Sequence, residues 1–497
     1  HKMNTPLHTN MRVRPKSANS DGLRFRLLVL LAWSVNLVCL FLIYDLLELK
    51  TIYIYFSSSA FWLTLFFWPA CFEREDIFYP RNFILFMFFM TMVIAPPLLY
   101  YDGVPTSGVP KFYFHQFAGK ALLLWCLAFV AYVAGLYGGA KSARAKSHRS
   151  ALCLGPPAVW MSITGTAAVV LGVLGLVIAA GSLTKALNIR GQVAAGRALF
   201  MTVGNGRYLV WLNLTPAGTV LLWYYCYKRW KLGRLSALFL VFALYGALLP
   251  FYSYTGGRGA ALFPLALLLI VYYRSCFRFS WAWVILGLVI LLPILALWRD
   301  YRIEGAIPAR TESDAFSTVI LGDLSRLDVS LAAVGGASER QFPLFYGESL
   351  LAAVEHVIPE WMIGRQFNGG TMLMAKAMHG DKNYNLPSPK ASPVMIEGYL
   401  NFGIPGIILF MGLLGVLVRR VERLYETRDI LTFIFGVSFS FMLPFGASLE
   451  LHASQIVWRA VFPLGVFIFC RSLLKGLARS LVRGPKRLYS GFGGLRW

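Results

Sequence analysis

Apolar segments long enough to cross a bilayer recur along this 497-residue chain, and one long mixed-charge stretch, Arg299 to Ser392, interrupts them. A hydrocarbon core of about 30 Å takes roughly 20 apolar residues in helical form, with every backbone polar group satisfied inside the segment. Continuous apolar runs without strand-like alternation therefore predict an all-α, polytopic membrane protein. Composition agrees: the chain is 57% hydrophobic and only 14% charged, against about a quarter charged in soluble domains.

Twelve runs reach or approach spanning length, near residues 25–47, 51–72, 83–100, 118–139, 156–180, 207–225, 235–252, 259–273, 281–298, 394–418, 430–447 and 455–472. The eighth is short, and the glycines before it suggest a helix that tilts or starts below the interface. A basic start (Arg12, Arg14, Lys16, Arg24, Arg26) precedes the first run without a small-residue cleavage pattern, so that run reads as a retained span.

A net charge of +24 points to nucleic acid in a soluble chain, but beside spanning helices it records orientation. With a cytoplasmic amino terminus, the connections on that side hold Arg74 and Arg81; Lys141, Arg144, Lys146 and Arg149; Lys228, Arg229, Lys231 and Arg234; Arg274 and Arg278; and Arg419, Arg420, Arg423 and Arg428. The tail adds Arg471, Lys475, Arg479, Arg483, Lys486, Arg487 and Arg496, so both termini are expected in the cytoplasm and no nucleic-acid partner is expected. The long loop, with nine Lys or Arg against eleven Asp or Glu, falls on the opposite side. The expected organisation is an amino-terminal bundle of about nine spans (1–298), a loop domain (299–392), three closing spans (393–472) and a basic tail (473–497). Runs such as Leu327 to Val334 and Leu350 to Val357 predict short amphipathic helices lying on the bundle. Seven cysteines, none in the loop, form neither a disulfide framework nor a zinc spacing.

Chemistry is sought where charge meets membrane on the loop side. Tyr252-Ser-Tyr-Thr-Gly-Gly-Arg258-Gly places Arg258 at or below the interface, where it either binds phosphate or snorkels to a headgroup. Trp298-Arg299-Asp300-Tyr301-Arg302 ends the ninth run, as substrate contacts or as charges that fix helix depth. In Gly322-Asp323-Leu-Ser-Arg326-Leu-Asp328, carboxylates flank Arg326, either aiming its fork at a pyrophosphate or forming local ion pairs. His356 supplies a possible base, Trp361 a sugar-stacking surface, and Arg365, Lys376 and Lys390 possible phosphate contacts. Glu397 and Asn401 share one helix face near the start of a span, where buried polar groups need partners or a polar cavity. Glu397 either orients an arginine or activates an acceptor hydroxyl; Asn401 either binds sugar or locks helices together.

In the order and topology of four segments the chain resembles the bacterial O-antigen or oligosaccharide repeat-unit polymerase family, the Wzy-type polymerases. The segments are Gly-Gly-Arg258-Gly, Ser-Arg326-Leu-Asp328, Tyr346-Gly347 to Pro359, and Glu397-Gly-Tyr-Leu-Asn401-Phe-Gly403. After Pro359 the chain has Glu-Trp-Met-Ile-Gly-Arg365 where some relatives have a Lys-Pro arrangement. The resemblance implies a GT-C-like scaffold in the bacterial inner membrane that joins undecaprenyl-pyrophosphate-linked repeat units, donor and acceptor, at the periplasmic face. It also brings in membrane lipids and a polysaccharide chain-length regulator as partners. Its outward-loop arginines map onto Arg258, Arg299 and Arg326, with Glu397 or His356 as base. Attack at the donor carbon inverts it. No cofactor is expected, and Mg²⁺ held by distant residues and pyrophosphate stays open. Transfer to lipid A core by an O-antigen ligase, or carriage of glycolipid by a flippase or exporter, are the alternatives.

Overall fold

The computed structural model describes residues 78–102, 111–138, 154–184, 208–253, 258–276, 326–340, 344–358, 393–443 and 449–483, with isolated positions that include Trp33, Phe56, Ala60, Gly287, Phe367 and Gly370. All regular structure among them is helical. In chain order the helices are α1 (Pro80–Phe89), a π turn (Met90–Ile94), α2 (Ala95–Asp102), α3 (Lys111–Tyr137), α4 (Val159–Ala180), α5 (Leu209–Leu212), α6 (Leu214–Arg229), α7 (Arg234–Ser253) and α8 (Arg258–Ser275). They continue with α9 (Leu327–Arg340), α10 (Glu348–Val357), α11 (Val394–Tyr425), α12 (Ile430–Met442), α13 (Leu449–Ile456), a second π turn (Val457–Val461) and α14 (Phe462–Arg483).

Among the described residues, six helical segments are long and apolar enough to cross a membrane: Pro80–Leu99, Gln116–Tyr137, Val159–Ala180, Arg234–Tyr252, Val394–Tyr425 and His452–Ala478. They match the expected third, fourth, fifth, seventh, tenth and twelfth spans. Three other expected spans are shorter, as α6, as Leu262–Ser275 within α8 and as α12. The first, second and ninth lie outside the described residues, apart from Trp33, Phe56, Ala60 and Gly287. Helix faces that carry Ile163, Val170 and Leu174, or Leu235, Phe239 and Phe242, or Ile468, Phe469 and Leu473, are apolar and exposed. Water would not tolerate such faces; lipid does.

Small residues set the helix packing. A Cβ on Gly135 would run into the backbone of Gly412, and one on Gly415 into the backbone of Tyr132, so α3 and α11 touch backbone to backbone. Gly165 against Gly218 does the same for α4 and α6, and Gly172 makes room for the Thr215 side chain. Lipid gives no hydrophobic drive for helices to associate, so close approach and dispersion contacts supply it.

Both π turns are proline effects. Pro96 follows the first and Pro463 the second; each lacks an N–H and crowds the carbonyl four residues back. The ladder adjusts by reaching one residue further, Ala95 N–H to Met90 O and Phe462 N–H to Val457 O.

Contacts gather the basic connections at one end of the bundle. Arg419 donates to Gly138 O (3.1 Å), and Gly155 N–H to Arg428 O (3.0 Å). Arg81 forks onto Glu422 at 2.6 and 3.1 Å, and Arg471 pairs with Asp429 at 2.8 Å. Residues 344–358 dock at the opposite end. This segregation is what the charge pattern of the connections predicts for one membrane face.

Two expectations need correction. The tenth span is not one helix: Gly403 (φ 67°, ψ −148°) breaks it, and Gly398 meets Gly406 backbone to backbone, so residues 394–402 fold back on 404–425. Helix 404–425 alone runs about 33 Å and suffices to span. The run Leu327 to Val334 does form a helix, but not an amphipathic one on the surface. Every residue from 327 to 336 is buried, and Ser338 receives Lys120 (3.0 Å) while Ser330 receives the Trp125 indole N–H (2.9 Å). Lys120 lies nearer the loop-side end of α3 than Trp125 does, so the amino end of α9, with Arg326, points into the bundle.

Candidate functional site

The break at Gly403 creates the site. A helix that stops leaves carbonyls unpaired, and here Leu400 O accepts from Phe345 N–H and Asn401 O from Tyr346 N–H, both at 3.1 Å. The docked turn is sharp: Tyr346 (φ 44°) and Gly347 (φ 94°) both take left-handed backbone, a strain for tyrosine and none for glycine. Gly347 N–H donates to Asn401 Oδ1 (2.9 Å), and Asn401 Nδ2 donates to Ser349 Oγ and to Glu397 O, each at 2.8 Å. Asn401 is thus a fully buried clamp between the half-helix and the start of α10.

Glu397 shares that face, as its four-residue spacing from Asn401 predicts, and is fully buried. Its Oε1 accepts from Leu449 N–H (2.6 Å) at the first turn of α13. An unsatisfied donor at a helix start favours a carboxylate there, which offsets the cost of burying it. The carboxyl also presses on Gly370, where any Cβ would overlap it. A loop residue, a half-helix and a returning span thus meet at one carboxylate.

His356 sits half-buried on α10, which packs along α13. Its Nδ1 lies 2.8 Å from Ala352 O. A carbonyl only accepts, so Nδ1 is the donor of this pair, and in a neutral ring that leaves Nε2 as the acceptor a base requires. Glu355, next to it, holds Phe367 N–H (3.0 Å). Arg326 precedes α9 at its inner end; Asp328 Oδ1 takes Val329 N–H (2.8 Å), a local contact of the first turn. Arg258 is the first residue of α8, at the end opposite the basic connections. Arg299, Arg302, Trp361, Arg365, Lys376 and Lys390 lie outside the described residues.

Sequence reasoning passed over Ser349, Gly370 and Leu449, whose roles depend on the fold-back and carry no local signal. It also passed over His452, Gln455 and Arg459, which follow α13 into the bilayer at three- and four-residue spacing, along one side of the helix. That stripe was readable: an arginine inside an apolar run, which costs at least about 2.5 kcal/mol to insert, is a functional candidate by default. His452 is buried and, with Phe88, Trp125, Pro393 and Met411, lines an otherwise apolar crevice.

No family model, curated protein or solved structure matches the chain.

Proposed function

We propose that this protein polymerises undecaprenyl-pyrophosphate-linked oligosaccharide repeat units by inverting glycosyl transfer at the periplasmic face of a bacterial inner membrane, in the manner of the Wzy-type polymerases it resembles. Twelve spans, a GT-C-like arrangement and two cytoplasmic termini belong to the same proposal. The observation that carries it is the Glu397–Asn401 half-helix, a fully buried polar constellation held where loop and spans meet, at the end opposite the basic connections.

In the proposed reaction an acceptor sugar hydroxyl attacks the anomeric carbon of the donor. The bond from that carbon to the pyrophosphate oxygen breaks, and the hydroxyl proton passes to a base. Arg258 and Arg326 counter the charge on the departing pyrophosphate, with Arg299, Arg302, Arg365 and Lys376 as further phosphate contacts and Trp361 stacking on sugar. His356 suits the base role better than Glu397: its tautomer presents Nε2 as acceptor, whereas Glu397 is enclosed and already takes a backbone N–H. Glu397 then acts as a positioning residue that fixes α13 against the half-helix.

Variants separate the roles. His356→Ala should abolish turnover and leave donor binding intact, while Glu397→Gln should weaken donor binding and thermal stability together. Full turnover in a folded His356→Ala protein, with turnover alone lost in Glu397→Gln, moves the base back to Glu397. Wild-type turnover in both removes the pair from the chemistry. Arg258→Lys and Arg326→Lys should keep only part of the rate, because ammonium cannot reproduce a bidentate fork.

A further inference from the structure

Arg459 stands where a guanidinium has to find an anion. It lies in the second π turn, about 15 Å along the helix from Leu449 and about 18 Å from Arg471, which Asp429 pins at the basic end. Both distances exceed twice the length of an extended arginine side chain, so snorkelling does not carry the charge to either helix end. Among the described residues Arg459 makes no hydrogen bond or ion pair. Arg459 is half-buried, so part of the residue stays accessible to a ligand within the span.

The local backbone favours a ligand as well. Pro463 has no N–H to offer the carbonyls behind it, which drives the π turn, and turns of this kind gather at binding sites. His452, Gln455 and Arg459 follow one another at three- and four-residue spacing along one side of the span, while its Val461, Ile468 and Phe469 are exposed and apolar.

We propose that Arg459 holds the phosphate of a membrane lipid drawn sideways into the bundle along the His452–Gln455–Arg459 side of the last span. A lipid phosphate is the anion that a bilayer supplies, its oxygens fit the arginine fork, and its acyl or prenyl tails suit the apolar residues beside it. The proposal is read by binding rather than turnover, so it stands or falls apart from the glycosyl-transfer reaction.

Native mass spectrometry of the purified full chain tests it with three probes: phosphatidylglycerol, a polyprenyl monophosphate and diacylglycerol as the phosphate-free control. The wild type should retain at least one phosphate lipid at a level about ten-fold above diacylglycerol, as a charge-assisted fork implies. Arg459→Gln should erase that preference, and Arg459→Lys should keep part of it. Preference for phosphatidylglycerol identifies a bulk lipid, and preference for the polyprenyl phosphate identifies a substrate-like one. Equal retention of diacylglycerol by the wild type overturns the proposal even if Arg459→Gln fails to fold, and so does an unchanged preference in a folded Arg459→Gln protein.

Discussion

Replacing Asn401 by Leu should release the loop from the membrane bundle without emptying space at the site. The side chains are close in size, so the cavity term is small and the cost is polar. Asn401 makes three hydrogen bonds through its amide, to Gly347 N, Ser349 Oγ and Glu397 O. At about 1 kcal/mol each, the loss sums to roughly 3 kcal/mol. The bonds from Phe345 and Tyr346 to the carbonyls of Leu400 and Asn401 are backbone to backbone and survive, so the damage should be local. Hydrogen exchange in detergent reads it directly: amides of residues 344–352 should exchange at least about 100-fold faster, since 1.4 kcal/mol is worth a factor of ten. Amides of α3 should not change. Ser349→Ala, which removes one of the three bonds, should show about a third of the free-energy effect. Exchange in 344–352 within about threefold of wild type in Asn401→Leu would refute the clamp.

Gly370→Ala should displace the Glu397 carboxyl, since its Cβ has no other place to go, and lower turnover as Glu397→Gln does although position 370 is not itself charged; activity assays on the two variants make the comparison. Partial burial raises the Asp429 carboxyl, but hydrogen bonds from the Thr432 N–H and hydroxyl and the pairing with Arg471 outweigh it and hold the group below its ordinary value. A depressed carboxylate gives stability that is present above the unfolded pKa and lost as pH falls through the folded one, so acid melting below about pH 4 should be steeper in the wild type than in Asp429→Asn. Single cysteines at Tyr346 and in the tail should separate in intact spheroplasts: an impermeant reagent should mark the first and spare the second, and the reverse pattern would invert the proposed active face.

The apolar runs were legible as helices because the bilayer allows so few alternatives, and the sites of the spans at 83–100, 118–139 and 156–180 fell within a few residues of the helices observed. The charge pattern of the connections likewise anticipated which helix ends come together. What the sequence could not convey is chain reversal: Gly403 sits in an apolar stretch that reads as one span, and only its positive φ and the Gly398–Gly406 contact reveal a fold-back. Burial of α9 was hidden for a related reason, because Leu327-Asp-Val-Ser-Leu-Ala-Ala-Val mixes polar and apolar groups, and the buried Ser330 hydroxyl is paired on both sides, accepting from Trp125 and donating to Arg326 O. Glu397 and Asn401 were visible as a pair four residues apart; Ser349, Gly370 and Leu449, which give the pair its setting, join it only through the tertiary fold.

Glycosyl transfer itself is tested most directly with the purified full chain in proteoliposomes, supplied with one defined lipid-linked repeat unit and no other protein. The account predicts a ladder of longer lipid-linked chains, each step releasing one polyprenyl pyrophosphate, with the ladder absent in His356→Ala. Glycan appearing only on added lipid A core, or repeat units crossing the bilayer without any new glycosidic bond, would contradict it.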